Sequence, residues 1–174
     1  MAGSALIVID MINTHGHQDA ELLLPAAEAA MPGTVSLLDR ARVEGIPVIY
    51  ANDNWGHWRS HHGAFVDEVL ARATGRSRGT AAPGRGVPLH CQGQHSIFYE
   101  TPLTELGVDQ VVLTGQVTEQ CVLYSALDAH IRHLGVVVPA DAVAVIHPDP
   151  AEAALTMMRR NMGSGISRAA EVVW

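Results

Sequence analysis

A single α/β domain built on a mainly parallel sheet, a Rossmann-like three-layer sandwich, is the fold this sequence predicts, and three observations lead to it. The chain has 174 residues, 48% of them hydrophobic and 17% charged, a size and balance suited to one domain with its own core. Short runs of Val, Ile and Leu recur along the whole length, each separated from the next by a segment of helical spacing. The first run, Ala5-Leu6-Ile7-Val8-Ile9, is unbroken rather than alternating, which is how a strand buried on both faces reads. Parallel neighbours need long right-handed crossovers, so the alternation places helices on both faces of the sheet.

Each element has its local reason. Asp10 directly follows the first strand. A helix over 34–44 closes at Gly45 and leads into Pro47-Val48-Ile49-Tyr50-Ala51, a second strand, with Asn52-Asp53-Asn54 after it. Residues 63–73 have helical spacing, with Phe65, Val69 and Leu70 on one side, and 75–87 are rich in Gly, Pro, Arg and Ser and read as a surface loop. A short strand at 89–91 precedes His95-Ser96-Ile97-Phe98, and a helix over 102–106 ends at Gly107. Residues 110–114 form the next strand. Thr118 stands where it can cap a helix over 119–133, and 135–139 return as a strand. Asp149, Pro150 and Glu152 make a helix start, with a capping side chain, a first-turn proline and a first-turn acid. Leu155, Met158 and Met162 are that helix's apolar stripe, and 170–174 are expected to add a last strand.

Composition excludes several function classes. There are 11 Lys+Arg against 18 Asp+Glu, a formal net charge of −7, and no basic run, which argues against a nucleic-acid surface or an electrostatic membrane anchor. No stretch approaches the roughly 18 apolar residues of a membrane span, and Met1-Ala2-Gly3-Ser4 lacks the charged opening of a secretory signal. A cytoplasmic protein acting on a small molecule is the expectation. Cys91 and Cys121 are too few for a disulfide framework, so each is a small buried hydrophobe or a reactive thiol. All eleven basic residues are arginines; the chain contains no lysine.

In open parallel sheets the ligand site lies outside the carboxyl ends of the strands. Asp10, then Asn52 and Asp53, then residues 92–96, then 114–121 all fall at such ends. Cys121 is in the first turn of its expected helix, where free N–H groups and the helix dipole favour a thiolate and lower its pKa. The same N–H groups would stabilise an oxyanion. An inert packing role is the other reading, since cysteine is among the most buried residue types. Asp10, following an apolar strand, is a desolvated carboxylate suited to proton transfer near neutrality, or a structural cap on the next loop.

Together these residues resemble the isochorismatase-like cysteine hydrolases, the superfamily that includes nicotinamidases and N-carbamoylsarcosine amidohydrolase. Ile7-Val8-Ile9-Asp10-Met11 is similar to the family's first-strand motif, and Leu113-Thr114-Gly115-Gln116-Val117-Thr118-Glu119-Gln120-Cys121-Val122 to its nucleophile motif. The 50–60 segment, His95-Ser96-Ile97-Phe98-Tyr99 with Thr101-Pro102-Leu103, Leu127-Asp128-Ala129 and Ala140-Asp141-Ala142-Val143 continue the match over nearly the whole chain, so residues 1–174 are expected to form one such domain. The resemblance implies a six-stranded parallel sheet, a site of Asp, Lys and Cys, and hydrolysis of a C–N bond through a thioester. Asp10 and Cys121 take the first and last roles, with Gln92 in the lysine's place. It also implies a cis peptide between Gln116 and Val117 that aims the Val117 and Cys121 N–H groups at the oxyanion.

Three readings stay open. Cys121 is activated without lysine, with Asp10, the helix terminus and His90, His95 or a substrate amine making up the difference. Alternatively Asp10 works by acid catalysis with no covalent intermediate. In the third, catalysis is lost and a binding or structural protein remains. Asn52, Asp53, Trp55, Arg59, His95 and Gln116 are the expected substrate contacts, with His15 and His17 at the rim. No cofactor is expected, and no metal: nicotinamidase-type members hold a divalent ion through an Asp-x-His pair, but the residue two after Asp53 is Trp55, and His57, His61 and His62 stand on loop-like sequence. Family members are commonly dimers or tetramers, so a homodimer or homotetramer is expected.

Overall fold

In the computed structural model, which describes residues 3–53, 89–92, 95–99, 101–105 and 107–174, the unbroken apolar run becomes β1, Gly3–Ile9, in the interior of a six-stranded sheet. The other strands are β2 (Val48–Asp53), β3 (Leu89–Gln92), β4 (Val108–Gly115), β5 (Gly135–Pro139) and β6 (Gly165–Ser167). They lie in the order β3-β2-β1-β4-β5-β6, every pairing parallel. From β1 the chain runs outward to β2 and β3, then returns to place β4 on β1's other side. The strand order therefore reverses between β1 and β4, where such sheets open a crevice.

Successive side chains of a strand point to opposite faces, and β1 divides accordingly. Ala5, Ile7 and Ile9 pack with Ala126 and Ala129 of α2 (Leu123–Ile131) and with Ala154 and Met158 of α3 (Pro148–Asn161). Leu6 and Val8 pack with Leu37, Leu38 and Ala41 of α1 (Ala20–Glu44) on the opposite face. Burying both faces of β1 explains why its sequence does not alternate.

Helix α1 starts at Ala20, well before the expected residue 34. Pro32-Gly33 reads as a helix breaker, and Pro25 also lies inside the helix. Packing overrides that local preference. A Cβ on Gly33 would stand 2.5 Å from the Asp141 carbonyl oxygen, so the absent side chain is what lets α1 approach the loop after β5. The Thr34 hydroxyl donates across the contact to Ala142 O at 3.3 Å and back to Ala30 O at 3.2 Å. Gly45, at φ 71°, closes the helix as expected, its N–H donating to Ala41 O.

Other expectations shift. Thr118 is not a cap: Val117 precedes a five-residue π-helical turn, Thr118–Val122, which runs into α2. The expected helix over 119–133 ends at Ile131, and His133 adopts φ 61°. Helix α3 begins at Pro148 with His147 before it, which leaves Asp149 in the first turn. The 102–106 helix is a 3₁₀ turn, Pro102–Glu105. The final strand is Gly165–Ser167, and the expected 170–174 strand is instead a 3₁₀ turn, Ala169–Glu171, whose Glu171 carboxylate accepts the Arg168 N–H at 2.9 Å. The helix expected over 63–73 and the loop over 75–87 lie outside the described residues.

Gly33→Ala is expected to destabilise the fold by about 1–3 kcal/mol through overpacking against the Asp141 backbone, read as a lower urea midpoint with an unchanged slope.

Candidate active site

The site is assembled where β1 and β4 end. Gly115, at φ 106°, brings the end of β4 so close to β1 that a Cβ there would lie 2.1 Å from Ile9 O. No other residue type fits that approach. The Gln116 N–H then donates to Ile9 O at 3.0 Å, and its side-chain Nε2 donates to Asp10 O at 2.7 Å. The peptide between Gln116 and Val117 is cis. Both the backbone N–H and the hydroxyl of Thr118 donate to Ala144 O at 2.8 Å. Glu119 Oε1 accepts the N–H groups of Ile146 at 2.9 Å and His147 at 2.8 Å. These bonds fix the π turn that carries Cys121.

Asp10 leaves β1 in a left-handed conformation, φ 53°. Its N–H donates to Ala51 O at 2.8 Å, and its carboxylate Oδ1 accepts the Asp53 N–H at 2.7 Å. The carboxyl group is therefore held against the end of β2. Asn52, 1% exposed, clamps the following loop: Oδ1 accepts the Ile12 N–H at 3.2 Å and Nδ2 donates to Ile12 O at 2.8 Å. It is absent from the residues that line the pocket, because both ends of its amide are spent on Ile12, so the structure gives it a supporting place rather than the expected substrate contact.

A pocket of about 180 Å³ opens between the strand ends, lined by Asp10, Asp53, His95, Gln116, Val117 and Cys121 together with Asn13, His17, Asp19, Leu23, Gln120 and Ile146. The structure thus brings together Asp10 and Cys121 with Val117 and three of the expected substrate contacts, Asp53, His95 and Gln116. Gln92 ends β3 in register with Asp53. Trp55 and Arg59, with His57, His61 and His62, lie outside the described residues. His17 reaches the pocket, but His15 is buried behind it, its Nε2 3.5 Å from Gln116 Nε2. Burial lowers the His15 pKa; a hydrogen bond with Gln116 raises it, and the charge of His17 lowers it further. Among the described residues no group of three His, Cys, Asp or Glu is arranged to hold a metal ion.

Asn13, Asp19 and Gln120 were not anticipated as pocket residues. Asn13 and Asp19 follow the same strand end as Asp10, and Gln120 directly precedes Cys121, so strand-end position was the available signal. Leu23 and Ile146 had none, since their place depends on how α1 and the loop before α3 pack.

Cys121 is 7% exposed, and its thiol lies at the pocket wall. It donates to the Asp10 carboxylate, the Val117 N–H donates to it, and His95 Nδ1 lies 3.9 Å from Sγ. Its pKa is pushed far above the ordinary thiol range. Burial is the largest cause; the charge of Asp10, the hydrogen bond to Asp10 and the charge of Asp53 add to it, and only the Val117 N–H opposes them. The expected lowering by a helix terminus is therefore overturned. Cys121 sits in a buried π turn facing two carboxylates, and desolvation and like charge outweigh one amide donor.

Because Asp10 raises the thiol pKa, Asp10→Asn should lower it. Asn tolerates the left-handed backbone and keeps an oxygen for the Asp53 N–H. Cys121 in this variant is expected to react with iodoacetamide faster than the native thiol at every pH between 7 and 9, measured in a Cys91→Ala background.

The sequence matches the Isochorismatase domain family model over residues 4–171. It is 31% identical over 176 residues to the uncharacterised isochorismatase family protein YaaI of Bacillus subtilis, covering 99% of this chain and 97% of that protein. To maleamate amidohydrolase of Pseudomonas putida it is 29% identical, over 94% of this chain and 83% of that one. Among solved structures, N-carbamoylsarcosine amidase from Thermoplasma acidophilum superposes with a TM-score of 0.74 at 26% identity, covering 99% of both chains. The nicotinamidase of Staphylococcus aureus shares the fold, with a TM-score of 0.71 at 20% identity over 96% of this chain and 98% of that one.

Proposed function

The chain belongs to the isochorismatase family, and from that premise we propose that it is a hydrolase that cleaves an amide-type C–N bond of a small molecule, with Cys121 as nucleophile and Asp10 as proton-transfer group. The observation that carries the reading is that the Cys121 thiol and the Asp10 carboxylate, from separate strand ends, line one open pocket. The relatives named for maleamate and N-carbamoylsarcosine support the amide class.

The chemistry runs through a neutral resting thiol. As Sγ attacks the substrate carbonyl carbon, Asp10 takes its proton, and the N–H groups of Val117 and Cys121 are the donors for the oxyanion. The tetrahedral intermediate collapses to a thioester, and Asp10 returns the proton to the departing nitrogen. Asp10 then draws a proton from water, which attacks the thioester and frees the acid and the thiol. Gln116, Asp53, His95 and, outside the described residues, Trp55 and Arg59 are the substrate contacts in this scheme. Gln92 occupies the lysine's place without its charge.

The raised thiol pKa favours one second reading, acid catalysis by Asp10 with no covalent intermediate. A homodimer or homotetramer is supported by Tyr124, Leu127 and Ile131, which are 43%, 43% and 60% exposed at helical spacing on α2. A cytoplasmic location is supported by the free buried thiol; no helix among the described residues is long and apolar enough to cross a membrane.

Ammonia release from maleamate, N-carbamoylsarcosine and nicotinamide tests the reading. Cys121→Ala is expected to lose about 10³-fold or more of kcat while keeping its fold, and mass spectrometry of quenched native enzyme should show an acyl adduct on Cys121. Turnover undiminished in Cys121→Ala would move the reaction to Asp10 alone.

A further inference from the structure

We propose that His95 is a catalytic residue, supplying a positive charge at the Cys121 sulfur in a chain that has no lysine. The inference rests on the reading of Cys121 as nucleophile.

His95 Nδ1 is 3.9 Å from Cys121 Sγ, within the reach of a sulfur hydrogen bond, and the side chain lines the same pocket. Its placement is built rather than incidental. The next residue, Ser96, donates its hydroxyl to the Asp128 carboxylate, and the Ile97 N–H donates to Ser125 Oγ at 3.2 Å. Asp128 and Ser125 both belong to α2, the helix that continues the Cys121 turn. The imidazole ring lies 5.7 Å from the Tyr124 ring on that helix. The segment carrying His95 and the segment carrying Cys121 are thus tied to one rigid element. His95 is exposed at the mouth of the site.

Charge accounting gives this proximity its consequence. Among the described residues, the titratable groups that share the pocket with His95 are Asp10, His17, Asp19, Asp53 and Cys121, with Tyr124 beside its ring. Moving a proton from Sγ to Asp10 transfers a negative charge onto a buried sulfur, and burial and the charge of Asp53 oppose it. Histidine is the side chain whose charge changes in the neutral range. With His95 protonated, the step reads as follows: the S–H bond breaks, the proton forms an O–H bond on Asp10, and the imidazolium Nδ1–H donates to the thiolate. Net charge over the three groups is zero before and after. The imidazolium proton came from solvent and stays in place, while the proton on Asp10 leaves with the amine. A neutral Gln92 supplies no charge to this balance.

The test is the pH profile of Cys121 alkylation by iodoacetamide between pH 5 and 10, in a Cys91→Ala background, for native, His95→Gln and His95→Lys proteins. The native rate at pH 7 is expected to exceed that of His95→Gln by about tenfold or more, the effect of one nearby charge, with a pH inflection that His95→Gln lacks. His95→Lys, which keeps the cation, should stay within about threefold of native at pH 7 and move the inflection to higher pH. Native and His95→Gln profiles that coincide would overturn the proposal, as would a His95→Lys protein as slow as His95→Gln. Alkylation needs no amide substrate, so the pairing is judged apart from the hydrolase reading. A loss of ammonia release confined to the Cys121 variant bears on the hydrolase reading alone, and the alkylation series bears on His95 alone.

Discussion

The site depends on the contact between the ends of β1 and β4. Gly115 has no side chain to keep Ile9 at a distance, and the Gln116 N–H and Nε2 bond to Ile9 O and Asp10 O in the space that remains. Those two bonds set Asp10 in its left-handed turn beside the segment that carries Cys121. The pairing follows from that approach, because the thiol and the carboxylate come from positions 111 residues apart in the chain. The outer bonds, from Thr118 to Ala144 and from Ile146 and His147 to Glu119, hold the far side of the same turn. Packing of α1 through Gly33 and Thr34 onto Asp141 and Ala142 supports that side from below.

This construction has an electrostatic result. A thiol held in a buried turn against two carboxylates is neutral at rest, and the sulfur becomes nucleophilic only as its proton leaves. For Cys121 to act as the proposed nucleophile, proton transfer during attack and a nearby cation would have to take the place of a standing thiolate. The absence of lysine from the chain makes the identity of that cation the central chemical question, and His95 is placed to answer it. The bonds from Ser96 to Asp128 and from Ile97 to Ser125 also give a physical meaning to two stretches of sequence that otherwise read only as family pattern. They lock the His95 segment to α2.

Much of the fold was legible because burial on both faces of a parallel sheet leaves a direct trace in composition. The continuous apolar runs of β1, β2, β4 and β5 were read close to their true limits, and Gly45 announced the end of α1. Elements whose limits depend on remote contacts were not legible. Pro32-Gly33 looks like a break until the Asp141 backbone is seen to occupy the space a side chain would take. Thr118 looks like a cap until its hydroxyl is found on Ala144. The tail looks like a strand until Arg168 and Glu171 close a 3₁₀ turn.

The same division runs through the site. By itself the sequence determined which chemical groups stand at strand ends: Asp10, Asp53, Gln116, Cys121, and glutamine where lysine is expected. Strand-end position follows from local hydrophobic pattern, so those assignments needed no knowledge of distant contacts. Only the tertiary structure decided what each group experiences. Asn52 turned from the pocket to clamp Ile12, His15 sank behind Gln116 while His17 reached the rim, and the thiol's acidity moved opposite to the local expectation. Burial and the charges of neighbours brought in from other strands set those outcomes, and neither quantity is carried by the residues adjacent in sequence.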